Sequence, residues 1–184
     1  MTTRDLGLVA LMAAVIVALG AVPAIPLAAG VPITLQSMGV MLAGLVLGPR
    51  RGAAAVAVVI ALVALGLPVL AGGRGGLGVF VGPTAGFLVG WLVAAFVTGF
   101  LAMVFEAPEK PTWLRTAQLT AAAVIGGIVA LYVCGILWLA FFVKMGLVKA
   151  FMVSLPFVPG DVAKAIVAAL VTVKVRQAVA IERK

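Results

Sequence analysis

The chain has 184 residues, of which 65% are hydrophobic and 10% charged, with a formal net charge of +8. Soluble domains carry about 25% charged residues, so a water-soluble fold is excluded and lipid is the expected solvent for most side chains. The chain has no histidine, which excludes Ser-His-Asp triads and most metal sites.

A membrane crossing needs about 20 apolar residues, and residues 1–184 read as a single all-α integral membrane domain of six transmembrane helices. The spans are expected at about residues 6–22, 33–47, 53–70, 83–105, 118–142 and 160–173. In the first, Ala10, Ala14 and Ala18 recur every four residues on one face. Small residues at that spacing let a second helix approach closely in lipid; general alanine richness is the alternative. Pro23, Pro26 and Pro32 then make a helix unfavourable, and this uncharged stretch, with Ala29 and Gly30, suits a lid over a pocket. Thr34, Gln36 and Ser37 open the second span. They read either as interfacial polarity or, for Thr34 and Gln36, as pocket-facing groups.

Gly48-Pro49-Arg50-Arg51-Gly52 is expected to be a tight turn. After the third span comes the densest glycine stretch, Gly72-Gly73-Arg74-Gly75-Gly76-Leu77-Gly78, running on to Gly82-Pro83-Thr84. Glycine permits sharp turns and close approach, and arginine brings five fixed donors, so this loop is expected to wall a small-molecule pocket. Glu106 to Arg115 is the most charged loop, with Trp113 as an interfacial anchor. The fifth span carries Cys134, read as a packing residue, and Trp138 near its far end. Lys144, Lys149, Pro156 and Pro159 mark a surface helix and a break before the sixth span, which starts at Gly160-Asp161.

With the N-terminus inside, inner loops hold Arg4, Arg50, Arg51, Lys110, Arg115, Lys174, Arg176, Arg183 and Lys184, against Arg74, Lys144 and Lys149 outside. That lysine and arginine bias places both termini in the cytoplasm and the glycine loop and pocket near the outer face. It also explains the positive charge through topology and anionic lipid, with no nucleic-acid partner. The long first span with no polar domain behind it argues against a removed signal peptide.

An enzyme is not expected. Ser37 and Ser154 lie in no Gly-x-Ser-x-Gly turn. Four of the five acids (Asp5, Glu106, Glu109 and Glu182) sit at the expected cytoplasmic edges, which leaves Asp161 without an acidic partner. The glycine loop ends in no Gly-Lys-Ser/Thr and has no dinucleotide context. Three charges remain for a pocket: Asp161, Lys164 and Arg74. Asp161 and Lys164 share a helix face. Asp161 either caps the sixth helix while Lys164 snorkels outward, or both face a polar cavity. In the second case Lys164 and Arg74 suit a carboxylate, Asp161 suits N–H donors, and Phe80, Phe87 and Trp91 suit apolar atoms. The implied ligand is small, with an amide-like head and an acid tail.

The chain resembles the BioY family, the substrate-binding membrane component of biotin transporters of the energy-coupling factor (ECF) type. The resemblance rests on Pro32-Ile33-Thr34-Leu35-Gln36, on Leu42-Ala43-Gly44-Leu45-Val46-Leu47-Gly48-Pro49-Arg50, on the glycine loop through Gly82-Pro83-Thr84, and on Pro159-Gly160-Asp161 with Lys164. It implies six helices in a bacterial or archaeal cell membrane and a biotin pocket capped by the loop after the first helix. It implies as partners a transmembrane coupling protein and two ATP-binding subunits, with the alanine face as the docking surface. Biotin is then cargo, and no cofactor is implied. Binding roles carry over to Asp161 and Lys164, and behind them to Thr84 and Gln36. The family pattern Gly-Gly-Tyr after Gly82-Pro83-Thr84 is Ala85-Gly86-Phe87 here, which removes a hydroxyl. The residue between the glycine pairs varies in the family, so the carboxylate role of Arg74 rests on its chemistry alone. A self-sufficient proton-coupled carrier of a small organic acid or another vitamin, with Asp161 as proton site, is the alternative. A purely structural subunit is a third reading.

Overall fold

A computed structural model describes residues 1–25, 31–105 and 109–178. Pro26, Ala29 and Gly30 of the proline-rich loop, Glu106, and Glu182, Arg183 and Lys184 lie outside the described residues. The first helix, α1 (Thr3–Gly20), starts on a capping box. The Thr2 hydroxyl accepts from the Asp5 amide at 3.2 Å, and the Asp5 carboxylate accepts from the Thr2 amide at 2.8 Å, satisfying donors that a helix start leaves open. Beyond the turn at its end, Ile25 and Ile33 pair as an antiparallel bridge. Then come α2 (Gln36–Leu47), α3 (Pro49–Ala64) and α4 (Ala85–Phe105). The fifth rod is α5 (Thr112–Val124) running through a π-helical turn, Ile125–Ala130, into α6 (Leu131–Phe141). The sixth is α7 (Leu147–Ser154), joined by a 3₁₀ turn, Leu155–Phe157, to α8 (Val158–Ala178). The architecture is all-α, with no strand beyond isolated bridges among the described residues.

Four of the rods, Thr3–Gly20, Ala85–Phe105, Thr112–Phe141 and Leu147–Ala178, are long and apolar enough to cross a membrane. The other two are short. At 1.5 Å per residue, the 12 residues of α2 and 16 of α3 fall below the ~30 Å hydrocarbon thickness. The central position of α2 makes this tolerable. Every residue from Gly39 to Leu47 is buried, and α2 packs on α1, α3, α4 and α8. Irregular backbone at membrane depth is acceptable where protein covers it or it lines a cavity, which is the situation of Val31–Thr34 just before α2.

Two local expectations change. The reversal at Gly48 needs one residue, at φ +80°, because Pro49 can start α3 directly with its missing N–H at a position that needs none. Arg50 and Arg51 therefore sit in the first helical turn, where Arg51 pairs with Asp5 at 3.3 Å. The break before the last helix is likewise tighter than a loop. Pro159 lies in the first turn of α8, where proline is tolerated, so Asp161 is already inside the helix rather than at its cap.

α4 sits between α2, α3 and α6, and its approach to the fifth rod is close. A Cβ on Gly126 would collide with Thr98, so glycine and the widened π turn together bring these backbones into contact. The Asp5–Arg51 pair puts the starts of α1 and α3 at one end of the bundle. Following the chain back and forth, residues 21–25, 31–35, 65–84 and 142–157 gather at the opposite end.

Candidate functional site

At that second end lies a cavity. Its walls include eight of the nine residues that the sequence nominates: Thr34, Gln36, Arg74, Thr84, Phe87, Trp91, Asp161 and Lys164. Phe80 is not among them and packs against the core. The wall also includes Ser37 and Tyr132, which sequence reasoning did not select.

Asp161 and Lys164 are buried, at 5% and 8% exposure. Lys164 Nζ donates to Asp161 Oδ1 at 2.7 Å and to Ser37 Oγ at 3.1 Å. Ser37 Oγ lies 3.3 Å from Asp161 Oδ1. The Tyr132 hydroxyl donates to Asp161 Oδ2 at 2.7 Å. Burying a charge is tolerable only when it is paired and hydrogen-bonded, and this cluster meets both conditions across α2, α6 and α8. The carboxylate has about four lone-pair sites and the ammonium three protons. After the bonds above, about one acceptor site and one donor remain. The cap-and-snorkel reading fails here: Asp161 bonds side chains, and Lys164 turns inward to it. An unpaired acid, which the proton-site reading needs, is also absent from this cluster.

Arg74 belongs to a different construction. Its backbone exchanges hydrogen bonds with Leu70 at 3.0 and 3.2 Å, closing a turn in which Gly72 and Gly73 take φ of +77° and +69°, values that strain other residues. Gly75 presses so close to the Leu67 carbonyl that a Cβ would collide. Trp138 Nε1 donates to the Gly82 carbonyl at 3.0 Å further along. The side chain is held lightly: Nε reaches the Ala71 carbonyl at 3.3 Å and Nη1 the Thr84 hydroxyl at 3.4 Å. No ion pair joins Arg74 to Asp161 among the described residues. Lining charges of Asp161, Lys164 and Arg74 leave the cavity with a net charge of +1.

Gln36 lines the cavity but its amide is committed elsewhere. Its Nε2 donates to Val69 O at 3.0 Å and Ile16 O at 3.3 Å, and its Oε1 accepts from the Ala71 amide at 2.9 Å. It straps the glycine loop to α1. Thr34 contributes its carbonyl, 3.4 Å from Ser37 Oγ. Phe87 meets Tyr132 edge to face with ring centroids 6.2 Å apart, and Trp91 completes an aromatic wall. Tyr132, the one tyrosine in the chain, could have been found by asking why a hydroxyl stands in so apolar a run. Ala10, Ala14 and Ala18 are all exposed, on the side of α1 turned away from the bundle, while Val9, Ala13, Ile16 and Gly20 face inward.

Comparison with known proteins gives a consistent result. The model of the BioY family matches residues 1–181. A biotin transporter BioY of Rhizobium etli is 58% identical, over 92% of this chain and 91% of its own length. One from Rhodobacter capsulatus is 54% identical, over 95% and 94%. A solved structure described as the S-component for biotin from an ECF-type ABC transporter superposes with a TM-score of 0.86 at 34% identity, covering 96% of this chain and 95% of that one.

Proposed function

The chain belongs to the BioY family, and from that premise we propose that it captures biotin and serves its uptake across the cell membrane. It does so as the substrate-specific component of an ECF-type transporter, and it is not an enzyme. The observation that carries the ligand assignment is the division of the cavity into two polar groups, with a net charge of +1 between them. The Asp161–Lys164 cluster offers one acceptor and one donor side by side. That suits a ureido head, whose N–H donates to Asp161 while its carbonyl accepts from Lys164. Arg74 is the cation with no carboxylate beside it, and it suits the carboxylate tail, with Thr84 alongside. Phe87, Trp91 and Tyr132 supply apolar surface for the ring system. Biotin is cargo in this scheme, and no cofactor takes part.

The pocket faces outward and both termini face the cytoplasm, in keeping with the lysine and arginine bias. The partners are a membrane coupling protein and two ATP-binding subunits. The support for docking is the exposed Ala10-Ala14-Ala18 face, flat enough for a second helix to approach. The proton-coupled carrier loses its premise, since it needs an uncommitted acid and Asp161 is bound to Lys164, Ser37 and Tyr132.

Isothermal titration of the purified protein tests the first half: saturable heat at micromolar biotin or below is expected, and none would overturn the assignment. Ala14→Trp tests the second half. It should abolish co-purification of the coupling protein and leave the biotin titration unchanged; retained co-purification refutes the docking face.

A further inference from the structure

Arg74 and Thr84 line the cavity, and they also line a separate, exposed hollow in the glycine loop. The other walls of the hollow are Val79, Pro83 and four glycines of the loop. Arg74 is the one charged residue on it. The two spaces thus share Arg74 and Thr84, whose side chains meet at 3.4 Å. That contact and the 3.3 Å contact to the Ala71 carbonyl both lie beyond the usual N–H···O range. A guanidinium has five N–H donors, so about three face no described partner and are free to meet an anion from either side. Walls of glycine backbone leave open the space that side chains would otherwise take.

We propose that this hollow is an outer station for the ligand's carboxylate. The anion docks on Arg74 from the exposed side. The ligand then passes Thr84 into the cavity, with Arg74 turning over to remain on the carboxylate as the head reaches Asp161 and Lys164. This rests on the reading of biotin as ligand. It assigns Arg74 a role in the rate of capture as well as in its strength. A single cation at the mouth of a low-dielectric site concentrates anions there, and its weak existing bonds are lost at little cost when it turns.

Gly78 separates the two spaces experimentally. It lines the hollow and not the cavity. A Cβ there meets nothing within 4 Å, and its φ lies outside the left-handed region. Gly78→Phe should therefore fill the hollow and leave the inner wall untouched. Stopped-flow fluorescence of the full chain, with Trp91 in the cavity wall as reporter, reads both rate constants. Gly78→Phe should slow association and dissociation with biotin by about tenfold each, leaving equilibrium affinity within about threefold. In the unaltered protein, biotin should associate about fivefold or more faster than neutral biotinamide at low salt. The gap should close with added salt and vanish in Arg74→Gln.

Unaltered rates in a Gly78→Phe protein that titrates normally would overturn the station and leave the biotin assignment standing. Equal association of acid and amide in the unaltered protein would overturn it too, and decides alone if Gly78→Phe does not fold. No titration of the unaltered protein with biotin would instead remove the assignment on which the station rests.

Discussion

Two polar groups face each other across one cavity, and they are built in opposite ways. The Asp161–Lys164 cluster stands on three helices, is almost sealed from solvent, and uses short bonds of 2.7 Å to fix both charges. Arg74 stands on a turn of glycines, is half-buried, and makes bonds of 3.3 and 3.4 Å. A site that must be in place before the ligand arrives benefits from rigid supports and satisfied partners, which lower the reorganisation needed on binding. A group that must move with the ligand cannot be held that way. The contrast agrees with the proposed division, in which the helices recognise the head group and the loop handles the tail.

The sharpest way to break the contrast is at its rigid side. Asp161→Ala removes the acceptor proposed for the ligand head and strands a buried ammonium. Loss of one partner of a buried ion pair costs about 3–5 kcal/mol of stability, and biotin affinity should fall about 100-fold or more. Calorimetric titration and thermal unfolding in detergent check both. Unchanged affinity would remove Asp161 from the site. Replacing both partners, as Asp161→Asn with Lys164→Met, should restore much of the stability and none of the affinity, because no uncompensated charge then remains.

The loop side is tested through its strap. Gln36→Leu keeps the volume roughly but deprives the Ile16 and Val69 carbonyls and the Ala71 amide of their partner. Each buried group left unsatisfied costs about 1–3 kcal/mol, and water reaching the loop should limit the total to about 2–4 kcal/mol. Affinity should fall by less than that loss, about tenfold at most, since only the carrier of Arg74 is loosened. A larger loss of affinity than of stability would mean that Gln36 itself touches the ligand.

Much of this was readable in advance, and what was not shares one cause. Hydropathy alone indicates six rods, and a three-residue spacing puts Asp161 and Lys164 on one face. Glycine density marks the loop that carries Arg74. These are local signals. Gln36 shows the limit: polarity at the head of a helix identifies it as unusual, but its partners lie 20 to 35 residues away, so its structural job is invisible to any local period. Ser37 meets Asp161 across 124 residues. The shortness of the second span is already present in its expected bounds, 33–47, but the reason it is tolerable, burial among α1, α3, α4 and α8, lies in distant parts of the chain.

Tyr132 is the gentlest probe of the rigid side. Its hydroxyl donates to Asp161 Oδ2, and its ring meets Phe87 edge to face. Tyr132→Phe keeps the ring and removes the one bond. Asp161 then retains Lys164 and Ser37, both on Oδ1, so its charge stays compensated and the fold should lose only about 1 kcal/mol. Oδ2, freed of its donor, can turn away from the geometry that a ureido N–H requires. Affinity should therefore fall about threefold, the effect of a looser orientation rather than of a lost contact. Dissociation should carry most of the change, because the loop side governs approach. A fall as deep as that of Asp161→Ala would show the tyrosine hydroxyl to be a direct ligand group. Tighter binding would show that the hydroxyl competes with the ligand for Oδ2, and would reverse the view that the cluster is fully arranged before biotin enters.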